Sequence, residues 1–302
     1  MRQGDRETRI HAGGITKMKY LVWVLALMLF TSCVALPAPV PERSILTLPA
    51  SANKIYLPIM PNNPSLGKGV GLTYGNCEDI SQLDAAWYIN WGTQSSGCTN
   101  ATHIPVVWGD FKTCPITGPG PLTLGFNEPQ LKEQANLTPD AAAILWHKLT
   151  VECAPERQWG TPSAINDLYW LTDWYHAYVT LYGAPPRADL VNVHCYSWSG
   201  ADACIAYLKQ VQIWARARSI PGIIISEWAV LPCSNGQAWA FAEADRVRTW
   251  IETQLDIVGA AWFAARIRGD EWWAIQPQPA CNTALVDGAG QLTAWGWWYA
   301  DQ

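Results

Sequence analysis

The chain has 302 residues, of which 49% are hydrophobic and 15% are charged, and its formal net charge is −5. This is the composition of a globular protein with enough apolar surface for a sizeable core. The acidic balance and the lack of runs of like charge argue against a nucleic-acid-binding or anionic-lipid-binding surface, which needs a basic patch.

The first 35 residues are predicted to be a targeting segment. Met18-Lys19-Tyr20 precedes an apolar run over residues 21–30, which is too short to span a bilayer and resembles the basic and hydrophobic parts of a signal peptide. Thr31-Ser32-Cys33 resembles the end of a bacterial lipoprotein signal, in which Cys33 would carry a lipid anchor; plain cleavage after Ala35 is the alternative. We expect Met18 to be the true start, and the protein to be secreted or held as a lipoprotein on the outer surface of a bacterium.

The rest of the chain divides into a linker and one folded domain. Residues 36–66 are rich in Pro and predict an extended linker. From residue 67 to 302, apolar runs of strand length alternate with amphipathic runs of helix length. The eight predicted strands cover residues 69–74, 86–91, 104–108, 122–127, 158–162, 190–198, 222–228 and 260–265, and the clearest helices cover 139–150, 165–182, 201–218 and 238–255. This alternation predicts an α/β fold, a single (β/α)8 TIM-type barrel preceded by the signal segment and the Pro-rich linker.

Eight cysteines follow Cys33, and an even number in an exported protein predicts disulfide bonds. The pairs that we expect are Cys233 with Cys281, provided that they lie on neighbouring loops, and Cys195 with Cys204. No two cysteines have C-x-x-C spacing, which argues against a zinc ribbon.

Two of the predicted strands end in a glutamate. The apolar run Leu122-Thr123-Leu124-Gly125-Phe126 stops at Asn127-Glu128-Pro129, where Pro129 cannot donate to a strand ladder. The run Ile223-Ile224-Ile225 stops at Ser226-Glu227-Trp228 in the same way. A Glu-Pro pair also commonly opens a helix. However, two glutamates at the carboxyl ends of barrel strands, where active sites lie, are the groups that a glycosidase requires.

The strand predicted over residues 190–198 carries two polar side chains near its end. Strand alternation places His194 and Tyr196 on the inward face, beside the strand that carries Glu227. A lone His or Tyr is usually structural, but this pair is well placed to orient a carboxylate.

Trp is unusually frequent, with 19 residues against 5 Phe. Because the indole ring is flat and can also donate a hydrogen bond, we expect some of these residues to be sugar-binding platforms and others to be ordinary packing. The candidate platforms, at or near predicted strand ends, are Trp91, Trp108, Trp228 and Trp262. Asn90 and Gln134 are candidate partners for sugar hydroxyls.

An ordered series of motifs over residues 68–302 resembles glycoside hydrolase family 128. The series is Trp87-Tyr88-Ile89-Asn90-Trp91, Pro105-Val106-Val107-Trp108-Gly109, Leu124-Gly125-Phe126-Asn127-Glu128-Pro129, Gln134-Ala135-Asn136-Leu137-Thr138-Pro139, His194-Cys195-Tyr196 and Ser226-Glu227-Trp228-Ala229. The resemblance implies a retaining endo-β-1,3-glucanase on a (β/α)8 barrel, with Glu128 as general acid/base and Glu227 as nucleophile. It also implies that Asn127 contacts the sugar 2-hydroxyl. Gln130 and Cys195 depart from the family's usual residues and leave both carboxylates in place.

The implied reaction is a double displacement, in which Glu227 attacks the anomeric carbon and Glu128 protonates the leaving oxygen. It needs carboxyl groups about 5–5.5 Å apart, against about 6.5–9.5 Å in an inverting enzyme. A hydrogen bond from Tyr196 would favour the charged form of Glu227. We expect a β-glucan as the partner, and no metal, cofactor, nucleic acid or protein partner.

Two alternatives remain at this point. The first is a glycosidase of the same clan that acts on another β-glucan, and the second is a non-catalytic β-glucan-binding surface protein. A serine hydrolase or a zinc peptidase is disfavoured, because the sequence contains neither a G-x-S-x-G nor an H-E-x-x-H motif.

Overall fold

The structure is a computed structural model and describes residues 65–118, 120–231, 235–267 and 282–302. The predicted targeting segment, nearly all of the linker, Cys33, Cys233 and Cys281 lie outside the described residues, so the predictions on them stay predictions. Among the described helices, none combines the length and the apolar character that crossing a membrane requires.

The described chain alternates strands and helices, as the sequence predicts. The strands are β1 (Lys68–Gly71), β2 (Trp87–Ile89), β3 (Thr102–His103), β4 (Thr123–Leu124), β5 (Trp159–Gly160), β6 (Ala164–Ile165), β7 (Leu190–Ser197), β8 (Gly222–Val230) and β9 (Ile257–Trp262). The helices are α1 (Cys77–Gln82), α2 (Pro139–His147), α3 (Leu168–Tyr182), α4 (Ala201–Ala217), α5 (Gln237–Glu252) and α6 (Ala294–Ala300), with a π-helical segment at Lys148–Cys153 directly after α2.

The strands form one curled, parallel sheet. Its order is β3-β2-β1-β9-β8-β7-β5-β4, and β6 pairs with β7. Backbone hydrogen bonds also join the two ends of this order, from Val107 N to Leu124 O (3.0 Å) and from Leu124 N to Pro105 O (2.8 Å). The arrangement is consistent with a TIM-type barrel.

Seven of the eight predicted strands overlap an observed one, but most of those in the first half are shorter than predicted. The third strand lies at Thr102–His103 rather than over residues 104–108, where Val106 makes only an isolated bridge to Leu124. The last begins three residues earlier than predicted, at Ile257. β6 was not predicted, because it is two residues long and follows β5 and Pro162 closely.

The helices begin where side chains can cap them. The Thr138 hydroxyl accepts a hydrogen bond from Ala141 N, and Pro139 occupies the first turn of α2. The Asp167 carboxylate accepts from the first amides of α3, which ends at Gly183 in the left-handed conformation (φ 67°). These caps satisfy backbone amides that have no partner inside the helix.

Much of the Trp excess is accounted for by packing. Trp262 lies within 4.8–5.1 Å, between ring centroids, of Trp228, Trp295 and Trp298. Trp146 makes edge contacts with Trp159 and Trp174. These two groups fill the layer between the sheet and its helices.

Three disulfides link the described cysteines. They are Cys77–Cys98, Cys114–Cys153 and Cys195–Cys204. The last confirms one predicted pair and ties the outward face of β7 to α4. The other two were not predicted, because sequence spacing does not determine which loops become neighbours.

Candidate active site

Glu128 lies just beyond β4, in a backbone conformation that strands do not use. Its φ is 41°, a left-handed value that costs a non-glycine residue about 1–2 kcal/mol. The Glu128 amide donates to Ser163 O (3.0 Å), and Leu131 N donates to the Glu128 carbonyl (2.9 Å). This conformation interrupts the alternation of a strand, so Asn127 and Glu128 can both contribute buried side chains to the same site.

Glu227 lies within β8, opposite His194 of β7 in the ladder. Both of its carboxylate oxygens accept short hydrogen bonds. The Trp91 indole Nε1 donates to Oε1 at 2.6 Å, and the Tyr196 hydroxyl donates to Oε2 at 2.5 Å. The donors come from opposite sides, since Trp91 follows β2 and Tyr196 lies on β7.

His194 connects the two glutamates. Its Nδ1 lies 2.8 Å from Glu128 Oε1 in a hydrogen bond, and its Nε2 lies 3.4 Å from Glu227 Oε1. One carboxylate oxygen from each glutamate and one ring nitrogen of His194 all lie within 4.8 Å of one another. One oxygen of Glu128 and one of Glu227 therefore lie within 4.8 Å of each other, which is below the separation of about 6.5–9.5 Å between the carboxyl groups of an inverting glycosidase.

Burial and charge oppose each other in this cluster. Burial lowers the pKa of His194, but the neighbouring Glu227 and Glu128 carboxylates outweigh it and raise that pKa above its ordinary value. Burial raises the pKa of Glu227; the charge of Glu128 adds to this effect, while His194, Tyr196 and Trp91 oppose it. Burial, with the nearby carboxylates, raises the pKa of Tyr196 far above its ordinary value, so its hydroxyl keeps its proton and acts as a donor.

The atoms of Glu128, His194 and Glu227 are also of the types that bind divalent metals. In this structure these atoms contact one another or other side chains. His194 pairs with both carboxylates, and Glu227 accepts hydrogen bonds from Trp91 and Tyr196. The arrangement is accordingly suited to holding and moving a proton between fixed groups.

The structure places the predicted hydroxyl partners differently. Asn127 donates from Nδ2 to Gln134 Oε1 at 3.2 Å, so these two predicted residues contact each other beside Glu128. Asn90 instead organises its own loop. Its side-chain Nδ2 donates to Gln94 O and Ser96 Oγ, and its side-chain Oδ1 accepts from Gly92 N. A sugar contact from Asn90 would have to compete with these bonds.

The four predicted platforms also divide. Trp108 is 41% exposed at the carboxyl end of the sheet, as a platform requires. Trp228 (4% exposed) and Trp262 (0%) offer no ring face to solvent, because α6 packs over them, so the structure corrects their expected role to core packing. Trp91 reaches the site through its N–H bond to Glu227.

Two residues of the site were missed by sequence reasoning. Asn166 (φ 47°) brackets Tyr196, accepting from its amide (3.2 Å) and donating to its carbonyl (2.7 Å). Phe263, just after β9, makes edge contacts with the rings of Trp91 and Tyr196. Asn is among the non-glycine residues that most often adopt left-handed φ, which is the available signal for Asn166. The sequence carries no such signal for the position of Phe263.

Further aromatic side chains stand exposed just beyond strand ends. Tyr74 follows β1, Tyr169 follows β6 and Trp198 follows β7, and all three are more than half exposed. Since parallel strands end at the same edge of a sheet, these rings and Trp108 lie on the edge that carries the glutamates. Exposed aromatic faces around a carboxylate pair suit a carbohydrate chain.

Comparisons with known proteins point to one family. Residues 71–299 match the family described as Glycosyl hydrolase catalytic core. No match was found among curated proteins.

Among solved structures, similar folds occur in β-1,3-glucanases of glycoside hydrolase family 128. An endo-β-1,3-glucanase of subgroup II from Pseudomonas viridiflava is 21% identical with a TM-score of 0.60, covering 78% of this chain and 98% of that one. A curdlan-specific exo-β-1,3-glucanase of subgroup III from Blastomyces gilchristii is 20% identical with a TM-score of 0.61, covering 80% and 100%. A subgroup I endo-β-1,3-glucanase from Amycolatopsis mediterranei, solved with laminaritriose, is 20% identical with a TM-score of 0.60, covering 78% and 98%. The fold is thus the one expected from the ordered motifs.

Proposed function

The chain belongs to the Glycosyl hydrolase catalytic core family, and we propose that it is a retaining endo-β-1,3-glucanase of glycoside hydrolase family 128, built on a (β/α)8 barrel. The observation that carries this proposal is the pair of buried glutamates, bridged by His194, with side-chain oxygens within 4.8 Å of each other. That spacing is nearer to the separation of about 5–5.5 Å in retaining enzymes than to the about 6.5–9.5 Å of inverting ones, and so suits a carboxylate that bonds directly to the sugar.

Glu227 is the nucleophile in this proposal. Its two oxygens are held by Trp91 and Tyr196 at 2.6 and 2.5 Å, and donors to a carboxylate favour its charged form. The carboxylate attacks the anomeric carbon as the glycosidic bond breaks, which gives a glycosyl-enzyme ester.

Glu128 is the general acid and then the general base. In the first step it donates its proton to the departing glycosidic oxygen, and in the second it takes a proton from the water that displaces Glu227. His194 contacts Glu128 through Nδ1 and approaches Glu227 through Nε2. When protonated, it stabilises whichever carboxylate is charged, as the charge passes from Glu227 to Glu128.

The substrate assignment rests on two supports. The exposed Trp108 and the other aromatic rings at the carboxyl edge provide faces on which glucose rings can stack. The three solved structures described above, which have similar folds, are β-1,3-glucanases, one of them holding laminaritriose. Asn127 lies beside Glu128 with its amide directed to Gln134, a suitable place for contacting the sugar 2-hydroxyl.

The disulfides support the proposed location of the protein outside the cytoplasm. Three disulfides among the described residues suit an oxidising compartment. Together with the signal-like segment that ends at Cys33 or Ala35, they support a protein that is secreted or anchored by lipid at the outer surface of a bacterium.

The test is reducing-end release by purified residues 36–302 on laminarin and curdlan, beside cellulose, mixed-linkage β-glucan, xylan and mannan. We expect release from the β-1,3-glucans only, as a ladder of oligosaccharides typical of endo action, and loss of it in Glu128→Gln and Glu227→Gln. Release from another glycan would change the assigned substrate but not the roles assigned to the two glutamates. Binding to glucan without any release would favour a non-catalytic binding protein.

A further inference from the structure

We propose that Trp91 is a positioning residue for Glu227 rather than a platform for sugar: its indole N–H fixes Oε1 of the nucleophile and holds that carboxylate in its charged form. This inference rests on the proposed function, because it concerns how the same nucleophile is kept ready for attack.

The chemistry of the contact supports this role. Trp91 Nε1 lies 2.6 Å from Glu227 Oε1, the short distance typical of a hydrogen bond to a charged oxygen. An indole N–H is a donor only and has no acceptor atom. It can therefore stabilise a carboxylate oxygen but cannot receive a proton from a neutral carboxyl group.

The surrounding residues form a seat for the indole ring. Trp91 follows β2 in a left-handed conformation (φ 56°), and its ring lies against Gly71 at the end of β1. A Cβ built on Gly71 would lie 2.8 Å from Trp91 Cη2 and 3.3 Å from Cζ2. Phe263 contacts the ring edge-on, with centroids 5.7 Å apart, and contacts Tyr196 in the same way at 5.8 Å. The absence of a side chain at residue 71 is what allows the indole to reach Glu227.

Several groups face Glu227, and they act in opposite directions. His194 and Tyr196 approach from β7, Glu128 from the end of β4 and Trp91 from the end of β2. Burial and the charge of Glu128 raise the pKa of Glu227, whereas His194, Tyr196 and Trp91 lower it. Removing the Trp91 N–H takes away one of the groups that favour the charged carboxylate, so the pKa of Glu227 must rise.

The experiment compares kcat and KM on laminarin across pH for wild type and Trp91→Phe, which keeps an aromatic face but has no N–H. We expect the acid limb of kcat/KM to move to higher pH by about one unit, and kcat below that limb to fall on the order of tenfold, with KM nearly unchanged. Gly71→Ala should move the limb in the same direction, because it displaces the indole without altering it. Trp297→Phe, at an exposed ring on α6 away from the site, is the matched control and should leave the limb in place.

A rise in KM with an unmoved acid limb in Trp91→Phe would overturn the inference and restore the platform role. An infrared difference titration of each protein against its Glu227→Gln counterpart reports the protonation of Glu227 without any turnover. If the proposed hydrolysis fails, the midpoint must still rise in Trp91→Phe and Gly71→Ala for the positioning role to stand. An unchanged midpoint in folded variants, as judged by thermal melting, would contradict it.

Discussion

The two halves of the sheet hold their glutamates in opposite ways. β7, β8 and β9 are long strands of 8, 9 and 6 residues, and Glu227 lies inside β8, directly after a register shift in the ladder with β7. β1 to β5 have two to four residues each, and Glu128 lies beyond the end of β4. Glu227, the proposed nucleophile, is thus placed within a ladder of paired strands, whereas Glu128, the proposed acid/base, is placed by its own left-handed backbone and a few loop contacts.

This difference in how the two glutamates are held suits the two proposed roles. A nucleophile must stay at a fixed distance from the anomeric carbon, which a paired strand provides. A general acid/base must change its protonation state twice in each turnover and contact both the leaving group and water. The half of the sheet formed by β1 to β5, here called the irregular half, also carries two of the three described disulfides, Cys77–Cys98 and Cys114–Cys153. These disulfides stabilise loops that the short strands do not hold in place.

The largest expected effect distinguishes the roles of Glu227 and Glu128 by using substrates with different leaving groups. Glu227→Gln should lower kcat/KM by on the order of 10⁴-fold or more on every substrate, because no covalent intermediate can form. Glu128→Gln should be as poor on laminarin but much better on an aryl β-laminaribioside, whose leaving group needs no proton. Steady-state kinetics on both substrates checks this, and equal losses for the two variants on the aryl substrate would contradict the assignment.

Removing disulfides should next distinguish stability from activity. Cys114 and Cys153 are 39 residues apart and Cys195 and Cys204 are 9 apart, so loop entropy predicts losses of about 4 and about 3 kcal/mol in the free energy of unfolding. Cys195 lies between His194 and Tyr196, so Cys195→Ala with Cys204→Ala should also lower kcat by about tenfold. Cys114→Ala with Cys153→Ala should spare kcat at low temperature. Denaturant unfolding and kinetics on the two double variants measure both effects, and the reverse ranking of kcat would contradict the account.

The pH dependence of stability should follow the raised pKa values of the site. Burial lowers the pKa of His194 but the two glutamates raise it overall from 6.5, and burial raises that of Glu227 from 4.5. A raised pKa means that the folded state binds the proton more tightly than the unfolded state. The resulting stabilisation is complete below the unfolded value and is lost as pH rises through the folded one. We expect His194→Gln to remove the part of this loss of stability that lies above pH 6.5. Urea unfolding at a series of pH values measures the free energy of unfolding in wild type and variant. The same dependence on pH in both proteins would show that His194 is not involved.

The smallest expected effect concerns sugar stacking on the irregular half. Trp108→Ala should weaken binding by about 1 kcal/mol, or about fivefold in KM, with kcat little changed. Trp297→Ala is the matched control, because Trp297 is also exposed but lies on α6, whose end contacts Lys68 at the amino end of β1. KM values on laminarin check the pair, and an equal change in both would argue against a platform at Trp108.

The same contrast explains what could be predicted from the sequence. β7 and β8 are long and almost wholly buried, so their apolar pattern marks most of their extent, and Glu227 stands out as the charged residue within β8. The alternation that placed His194 and Tyr196 inward agrees with their contacts, although the ladder with β8 shifts register between Val193 and His194. Long, buried strands are the part of a fold that local patterning describes best.

The irregular half could not be predicted in the same detail. Trp91, Glu128 and Asn166 all have positive φ, and nothing in a local pattern indicates that a Trp or a Glu will adopt such a conformation. In the half with long strands, the burial of Trp262 on β9 likewise could not be predicted, because it depends on Trp295 and Trp298 of α6, more than 30 residues later in the chain. A strand-end Trp therefore looks the same in sequence whether it lines the cleft, packs in the core or donates to a carboxylate.

The central claim is that Glu227 and Glu128 act as nucleophile and acid/base of a retaining enzyme, and the stereochemistry of the first product tests it most directly. Proton NMR of laminarihexaose hydrolysis, recorded before mutarotation, reports the anomer that is released. We predict that the β-anomer appears first, since two displacements restore the original configuration. Initial release of the α-anomer would mean a single displacement by water and would contradict the roles assigned to both glutamates.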